Sequence, residues 1–272
     1  MKSDMSRRTM LAGAASLTLP GLTACAGVGS AKSKAAHYVL VHGAWHGAWC
    51  WNKLVPLLRA KGHMVTAVDL PGRWARPELA AATTPADFVE SVGQVLRASP
   101  VPVILVGHSL GGATISLAAE AYPDRIARLV YVSAFLVPHG QSVGSIADSD
   151  KDTLIPVSTR RDPSTRVSTV IPERAKEVFY ADCSEDEVRT ALQLLCGEPA
   201  TMGIARMSLS NDRFGRVDRT YVECLQDRAI SIKTQRAMQA GTPCQRHFTL
   251  DSSHSPFLSK ATELAAILDS LA

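Results

Sequence analysis

Val103-Ile104-Leu105-Val106-Gly107-His108-Ser109-Leu110-Gly111-Gly112 decides how this chain is read. Apolar, mostly β-branched residues lead into Gly-x-Ser-x-Gly, and a small-residue segment, 113–121, follows. The order is strand, sharp turn, helix. Such a turn holds its serine in a strained backbone conformation that small neighbours permit, here Gly107 and Gly111. The Ser109 hydroxyl then stands at the end of a sheet, over a helix N-terminus. A serine hydroxyl is a weak nucleophile at neutral pH. Its exposure is useful where a base can take its proton.

Outward from that turn, residues 37–41 read as a buried strand ending at His42-Gly43. Residues 51–61 have helical spacing, with Leu54, Leu57 and Leu58 on one face and Gly62 behind them. Residues 64–70 are a second strand, closed by Asp69-Leu70-Pro71-Gly72. Thr84, with Asp87 three residues on, reads as the N-cap of a helix over 85–98. Residues 126–132 are another strand. Continuous apolar strands alternating with helices predict an α/β fold: a mostly parallel, doubly wound sheet with helices on both faces. The alternation breaks after Phe135. Residues 136–219 are polar and irregular, with a Ser/Asp-rich loop at 142–152, a Thr/Arg/Ser stretch at 157–169 and helical pieces at 172–180 and 184–195. Ser184-Glu185-Asp186-Glu187 has the form of a capping box. No strand is expected there, so 136–219 reads as an inserted, mainly helical cap on a core of 37–135 and 220–272. The core resumes with strands at 220–225 and 247–250 and helices at 232–240 and 256–271.

The 272 residues are 46% hydrophobic and 20% charged, an ordinary globular balance. The formal charge of +4 includes Lys2, Arg7 and Arg8 against Asp4. There is no basic stripe, so no nucleic-acid partner is expected. Residues 1–25 read as a twin-arginine signal: Ser6-Arg7-Arg8, an apolar stretch to Leu22, then the lipobox-like Leu22-Thr23-Ala24-Cys25. The expectation is export to the periplasm or another extracytoplasmic site, with either a lipid on Cys25 or plain cleavage nearby. Residues 26–36 would be a tether, and any membrane association would run through this segment alone. Of six cysteines, five follow Cys25. Cys183 and Cys196 are positioned to pair; the alternative is that all five are buried thiols. No spacing points to a metal, and no cofactor is implied. Oligomeric state is not legible.

The base should sit on a loop at the carboxyl edge of the sheet. His254 does, between the last strand and the last helix. The supporting acid should end the preceding strand, which points to Asp227 in Cys224-Leu225-Gln226-Asp227. Asp251 and Asp218 are rivals: the first needs a tight reversal to face the ring, and the second precedes its strand. The segment Tyr131-Val132-Ser133-Ala134-Phe135 offers no carboxylate. Ser109, Asp227, His254 then follow the order nucleophile, acid, base. Two backbone N–H groups should face the developing alkoxide, those of Leu110 and of Ala44, with Gly43 allowing close approach. His42, His46 and His108 read as scaffold. Gly43, Trp45, Phe135, Leu136, Met202, Met207, Phe257 and Leu258 are candidate pocket residues, with core packing the alternative for each.

The segment Tyr38-Val39-Leu40-Val41-His42-Gly43-Ala44-Trp45-His46-Gly47-Ala48-Trp49-Cys50-Trp51 resembles the opening of the plant methylesterase and hydroxynitrile lyase branch of the α/β-hydrolases. It is also similar to bacterial pyrethroid-hydrolase-type carboxylesterases. Gly62 to Gly72, Gly107-His108-Ser109-Leu110-Gly111-Gly112 and Phe179-Tyr180-Ala181-Asp182-Cys183 extend the likeness. The resemblance implies a capped α/β-hydrolase fold, a Ser109–Asp227–His254 triad and oxyanion donors at Ala44 and Leu110. It implies a serine carboxylesterase acting on a small-molecule ester. Cyanohydrin-cleaving members carry Thr at the position of Gly43 and Lys at that of Ser255, so lyase chemistry is disfavoured. Salicylate-binding members use a Trp in the cap, and all four Trp here precede Ser109. Lactonase, amidase or thioesterase chemistry on the same groups, and a non-catalytic receptor-like fold, remain alternatives.

Overall fold

A computed structural model describes Met1, residues 34–72 and residues 77–272. The signal expected over 1–25, with Cys25, and most of the tether lie outside the described residues, Met1 apart. In the unit from Ser33 to Ala272, the core opens with β1 (His37–Val41), α1 (Leu54–Ala60), β2 (Met64–Val68), α2 (Pro85–Ala98), β3 (Val103–His108), α3 (Gly111–Ala121) and β4 (Ile126–Val132). The chain then leaves the sheet through α4 (Val143–Ser149), α5 (Ile155–Ser158), β5 (Thr159–Arg161), β6 (Val167–Val170), α6 (Pro172–Phe179), α7 (Glu185–Leu194), β7 (Glu198–Pro199) and α8 (Thr201–Ile204). It returns with β8 (Arg219–Cys224), α9 (Ile232–Gly241), β9 (Arg246–Leu250), α10 (Pro256–Ser259) and α11 (Ala261–Asp269).

Six strands pair in parallel in the order β2-β1-β3-β4-β8-β9. The central strands β1, β3 and β8 are buried at every position, as strands covered on both faces must be. Successive side chains alternate between two cores. Val39, Val41 and Leu105 join Phe88 and Val92 of α2 and Ile115 of α3 on one face. Tyr38, Leu40 and Ile104 join Leu54 and Leu58 of α1 and Leu264 of α11 on the other. Each such buried side chain contributes about 1.5–3 kcal/mol relative to exposure. α2 starts where its cap dictates: Thr84 Oγ1 accepts from the Asp87 N–H, and Asp87 Oδ2 accepts from the Thr84 N–H at 2.8 Å. Ser184 and Glu187 repeat the box at α7.

The excursion departs from expectation. It holds helices, but also a three-stranded antiparallel sheet in the order β5-β6-β7. The strands have three, four and two residues, too few for alternation to register, and β5 is Thr-Arg-Arg. Their turn is built by Asp162, whose Oδ1 accepts from the Ser164 N–H at 2.8 Å, and by Arg166 at φ 60°. The loop expected over 142–152 contains α4, opened by a Ser142–Ser145 capping box. The last helix breaks at Lys260 into α10 and α11. Cys50, Cys183, Cys224 and Cys244 are buried thiols, Cys196 is half-buried, and none of the five is in a disulfide. The Cys183–Cys196 pairing is therefore not made.

Candidate active site

Ser109 sits between β3 and α3 with φ 51°. A non-glycine residue in the left-handed region costs about 1–2 kcal/mol and persists where its surroundings hold it. The Ser109 carbonyl accepts from the N–H groups of Gly112 and Phe135, each at 3.0 Å. Gly111 is required by close approach: a Cβ there would lie 2.7 Å from the carbonyl oxygens of Val41 and His42. α3 can thus begin against the end of β1, bringing Leu110 beside the loop that carries Ala44. Ser109, Ala44 and Leu110 line one cavity of about 280 Å³. Among the described residues, neither the Ala44 N–H nor the Leu110 N–H is taken by a backbone acceptor.

His254 follows β9, and Asp227 follows β8. His254 Nδ1 lies 2.7 Å from Asp227 Oδ2, and both residues are buried. A carboxylate only accepts, so Nδ1–H donates this bond and Nε2 is left to face away from Asp227. Asp227 Oδ1 accepts from the N–H groups of Ala229 (2.7 Å) and Ile230 (3.0 Å). Ser133, at the end of β4 with φ 41°, donates its hydroxyl to Oδ2. Asp251 instead accepts from Gln226 Nε2 at 3.2 Å, and Asp218 lies 3.7 Å from Arg128 at the start of β8.

The other histidines hold the frame. His42 Nδ1–H donates to the Gly43 carbonyl (2.9 Å), and its Nε2 accepts from the Leu70 N–H (3.1 Å). His46 bonds the Ala44 carbonyl (2.7 Å) and the Tyr180 hydroxyl (2.8 Å). His108 Nε2–H donates to the His254 carbonyl at 2.8 Å, and the two ring centroids are 4.5 Å apart. His254 therefore packs on the residue preceding Ser109. Burial, then the nearby His254 and His46 rings, holds His108 well below the ordinary imidazole value, so it is neutral.

The model of the alpha/beta hydrolase family matches residues 38–267. The chain belongs to this family. Putative methylesterase 11, chloroplastic, from Arabidopsis thaliana is 31% identical over 245 residues, which is 85% of this chain and 63% of the relative. Methylesterase 3 from the same plant is 32% identical over 254 residues, 88% of this chain and 97% of the relative. The solved structure of a pyrethroid hydrolase from Sphingobium faniae JZ-2 has TM-score 0.80 at 26% identity, covering 88% of this chain and 97% of that one.

The cavity of this α/β-hydrolase differs from the expected pocket. Trp45 and Phe135 line it. Leu136, Met202 and Met207 do not; they are buried in the core on the α2–α3 face. Phe257 belongs to the opposite core, 5.2 Å from the Trp51 ring and 4.8 Å from His108. Leu258 packs beside it, half-buried. Gly43 lies behind the cavity, where a Cβ would be 2.7 Å from Ser109 Cβ. The apolar walls come instead from Val143 and Ala147 of α4, Ile155, and Ile230. Arg161, Ser168 and Glu198 from the small sheet and Arg166 from its turn line the cavity as well. Sequence reading missed these because the strands carrying them were not legible. It also missed Ser133, although its place at the end of β4 puts it at the same sheet edge as Ser109. The search there was for a carboxylate, and the residue is a hydroxyl. Among the described residues no three His, Cys, Asp or Glu side chains gather as metal ligands would.

Proposed function

We propose that this α/β-hydrolase is a serine carboxylesterase that hydrolyses small, largely apolar esters through an acyl-enzyme on Ser109. Relatives named as methylesterases support the reaction class. The observation that carries the reading is Ser109, at φ 51°, facing one apolar cavity together with the Ala44 and Leu110 residues. The 2.7 Å His254–Asp227 bond supports the assignment of the base. In this scheme His254 Nε2 takes the Ser109 proton as Oγ attacks the ester carbonyl. The Ala44 and Leu110 N–H groups hold the oxyanion. Collapse breaks the bond to the alcohol, which leaves with the proton from His254. Water, deprotonated by the same ring, then releases the acid. Asp227 accepts from Nδ1–H and so fixes the ring's orientation and tautomer. Hydroxynitrile lyase chemistry is disfavoured by Gly43, whose surroundings leave no room for a side chain. The twin-arginine reading makes the enzyme an exported one as part of the same proposal.

The test is a burst of p-nitrophenol from p-nitrophenyl acetate and butyrate, with Ser109→Ala beside the parent. Loss of up to about a millionfold in kcat is expected. Retained turnover in Ser109→Ala rejects the scheme, and no burst from the parent favours a non-catalytic fold.

A further inference from the structure

Trp45 directly follows the donor residue Ala44 and stands at φ 60°. Every polar group it owns is bonded to the cap. Its N–H donates to Glu198 Oε2 (3.2 Å), and its indole Nε1–H donates to Ser168 Oγ (3.1 Å). Its carbonyl accepts from the Cys196 N–H (2.9 Å). Ser168 and Glu198 are direct partners across β6 and β7, so the small sheet presents them together. The other end of the Ala44–Trp45 peptide is held as well. The Ala44 carbonyl accepts from His46 Nδ1–H, and His46 Nε2 accepts from the Tyr180 hydroxyl. Burial pushes the Tyr180 phenol well above its ordinary value, which keeps the proton that this bond uses. By contrast, the preceding carbonyl, that of Gly43, is held by His42 from within the core.

We propose that the cap completes the oxyanion hole: the Gly43–Ala44 peptide that carries the Ala44 N–H is held by His42 from the core, and Glu198 and Tyr180 are positioning residues that pin the next peptide, Ala44–Trp45, and so fix the Ala44 backbone torsions that aim this N–H at the developing alkoxide. Without the Glu198 bond the Trp45 N–H loses its acceptor, Trp45 is held in the left-handed region by Ser168 and Cys196 alone, and the loop relaxes with its donor turned aside. The cap then does more than cover the cavity. Its docked state is the catalytically competent one, because the same contacts that seat it orient the donor. The kinetic consequence rests on the esterase reading above, whereas the conformational consequence does not.

The experiment compares Glu198→Ala, Glu198→Gln and Tyr180→Phe in the full chain, each checked for a cooperative thermal melt. Backbone amide exchange over residues 40–48, followed by mass spectrometry, reads the loop directly. Initial rates on p-nitrophenyl butyrate and affinity for an alkyl trifluoromethyl ketone, which forms a hemiketal with a nucleophilic serine, read the oxyanion hole. Glu198→Ala should speed exchange and lower kcat by about tenfold to a hundredfold, with KM nearly unchanged and ketone affinity falling with kcat. Glu198→Gln, which retains an acceptor oxygen, should recover most of each loss, and Tyr180→Phe should be intermediate. Parent-like exchange and kcat in folded Glu198→Ala overturn the proposal, as does a Gln variant no better than the Ala variant. A parent that turns over no ester rejects the esterase reading, while the exchange data still decide whether the cap holds the loop.

Discussion

Ser133 and His254 converge on one atom, Asp227 Oδ2: the serine donates its hydroxyl and the histidine donates Nδ1–H. The other oxygen is filled by two backbone N–H groups. The buried carboxylate is therefore held in place by protein donors on both oxygens. Gln235 Nε2 donates to the same oxygen at 3.5 Å, so Ser133→Ala removes one of three donors to the atom that holds the His254 ring. A buried hydrogen bond to a charged group is worth about 1.5–3 kcal/mol. The expected outcome is a kcat drop of about tenfold with KM nearly unchanged, and a lower unfolding midpoint. Steady-state kinetics with urea titration check both.

His108 predicts a pH dependence of stability. Burial holds its folded-state pKa well below the value near 6.5 of the unfolded chain. The unfolded state therefore binds the proton first as pH falls. The contribution to stability is complete above about pH 6.5 and is lost as pH drops from there toward the folded value. Nδ1 has no partner among the described residues that would welcome a proton. Unfolding free energies from urea titrations between pH 7.5 and 5 should fall by up to about 1.4 kcal/mol per pH unit from this group. His108→Gln should flatten the slope, and an unchanged slope would refute the assignment.

Gly43 is a position at which a single methyl should disturb the cavity directly. Its Cβ would stand 2.7 Å from Ser109 Cβ and 3.0 Å from His108 Nδ1. Gly43→Ala must move Ser109, His108 or the loop that carries Ala44. A misplacement of about 1 Å at a reacting group costs on the order of a hundredfold. Turnover of p-nitrophenyl butyrate should fall by that order, with the fold intact by circular dichroism.

Arg161 and Arg166 are exposed residues at the cap side of the cavity. Glu198 is there too, but its Oε2 is engaged by the Trp45 N–H. The two guanidiniums should favour esters bearing a carboxylate at the far end of the acyl chain. Mono-p-nitrophenyl glutarate should therefore show a higher kcat/KM than p-nitrophenyl pentanoate at low salt. The advantage should shrink as salt rises past about 0.15 M, where the Debye length is about 8 Å. Equal values at all salt concentrations would show that the arginines do not read the substrate.

The core was legible because its signals are local and repeated. The run at 103–108, the Thr84–Asp87 box and the glycine-flanked Ser109 each state their own structure. Asp227 and His254 were reachable because a parallel sheet brings the ends of successive strands to one edge. The cap was opaque for the opposite reason. Strands of two to four residues carry no periodicity. The pocket expectation failed on the same ground: Met202, Met207 and Phe257 are large and apolar, which marks burial, and burial alone does not say whether a side chain faces a cavity or a neighbour.

The buried Cys183 and Cys244 thiols have a consequence for how the molecule responds to oxidants. Burial pushes Cys183 up to about 12 and Cys244 to about 11, so the oxidisable thiolate is scarce at either site. No bond in the described fold waits on an oxidant. Stability of the described fold measured with and without a reductant should coincide.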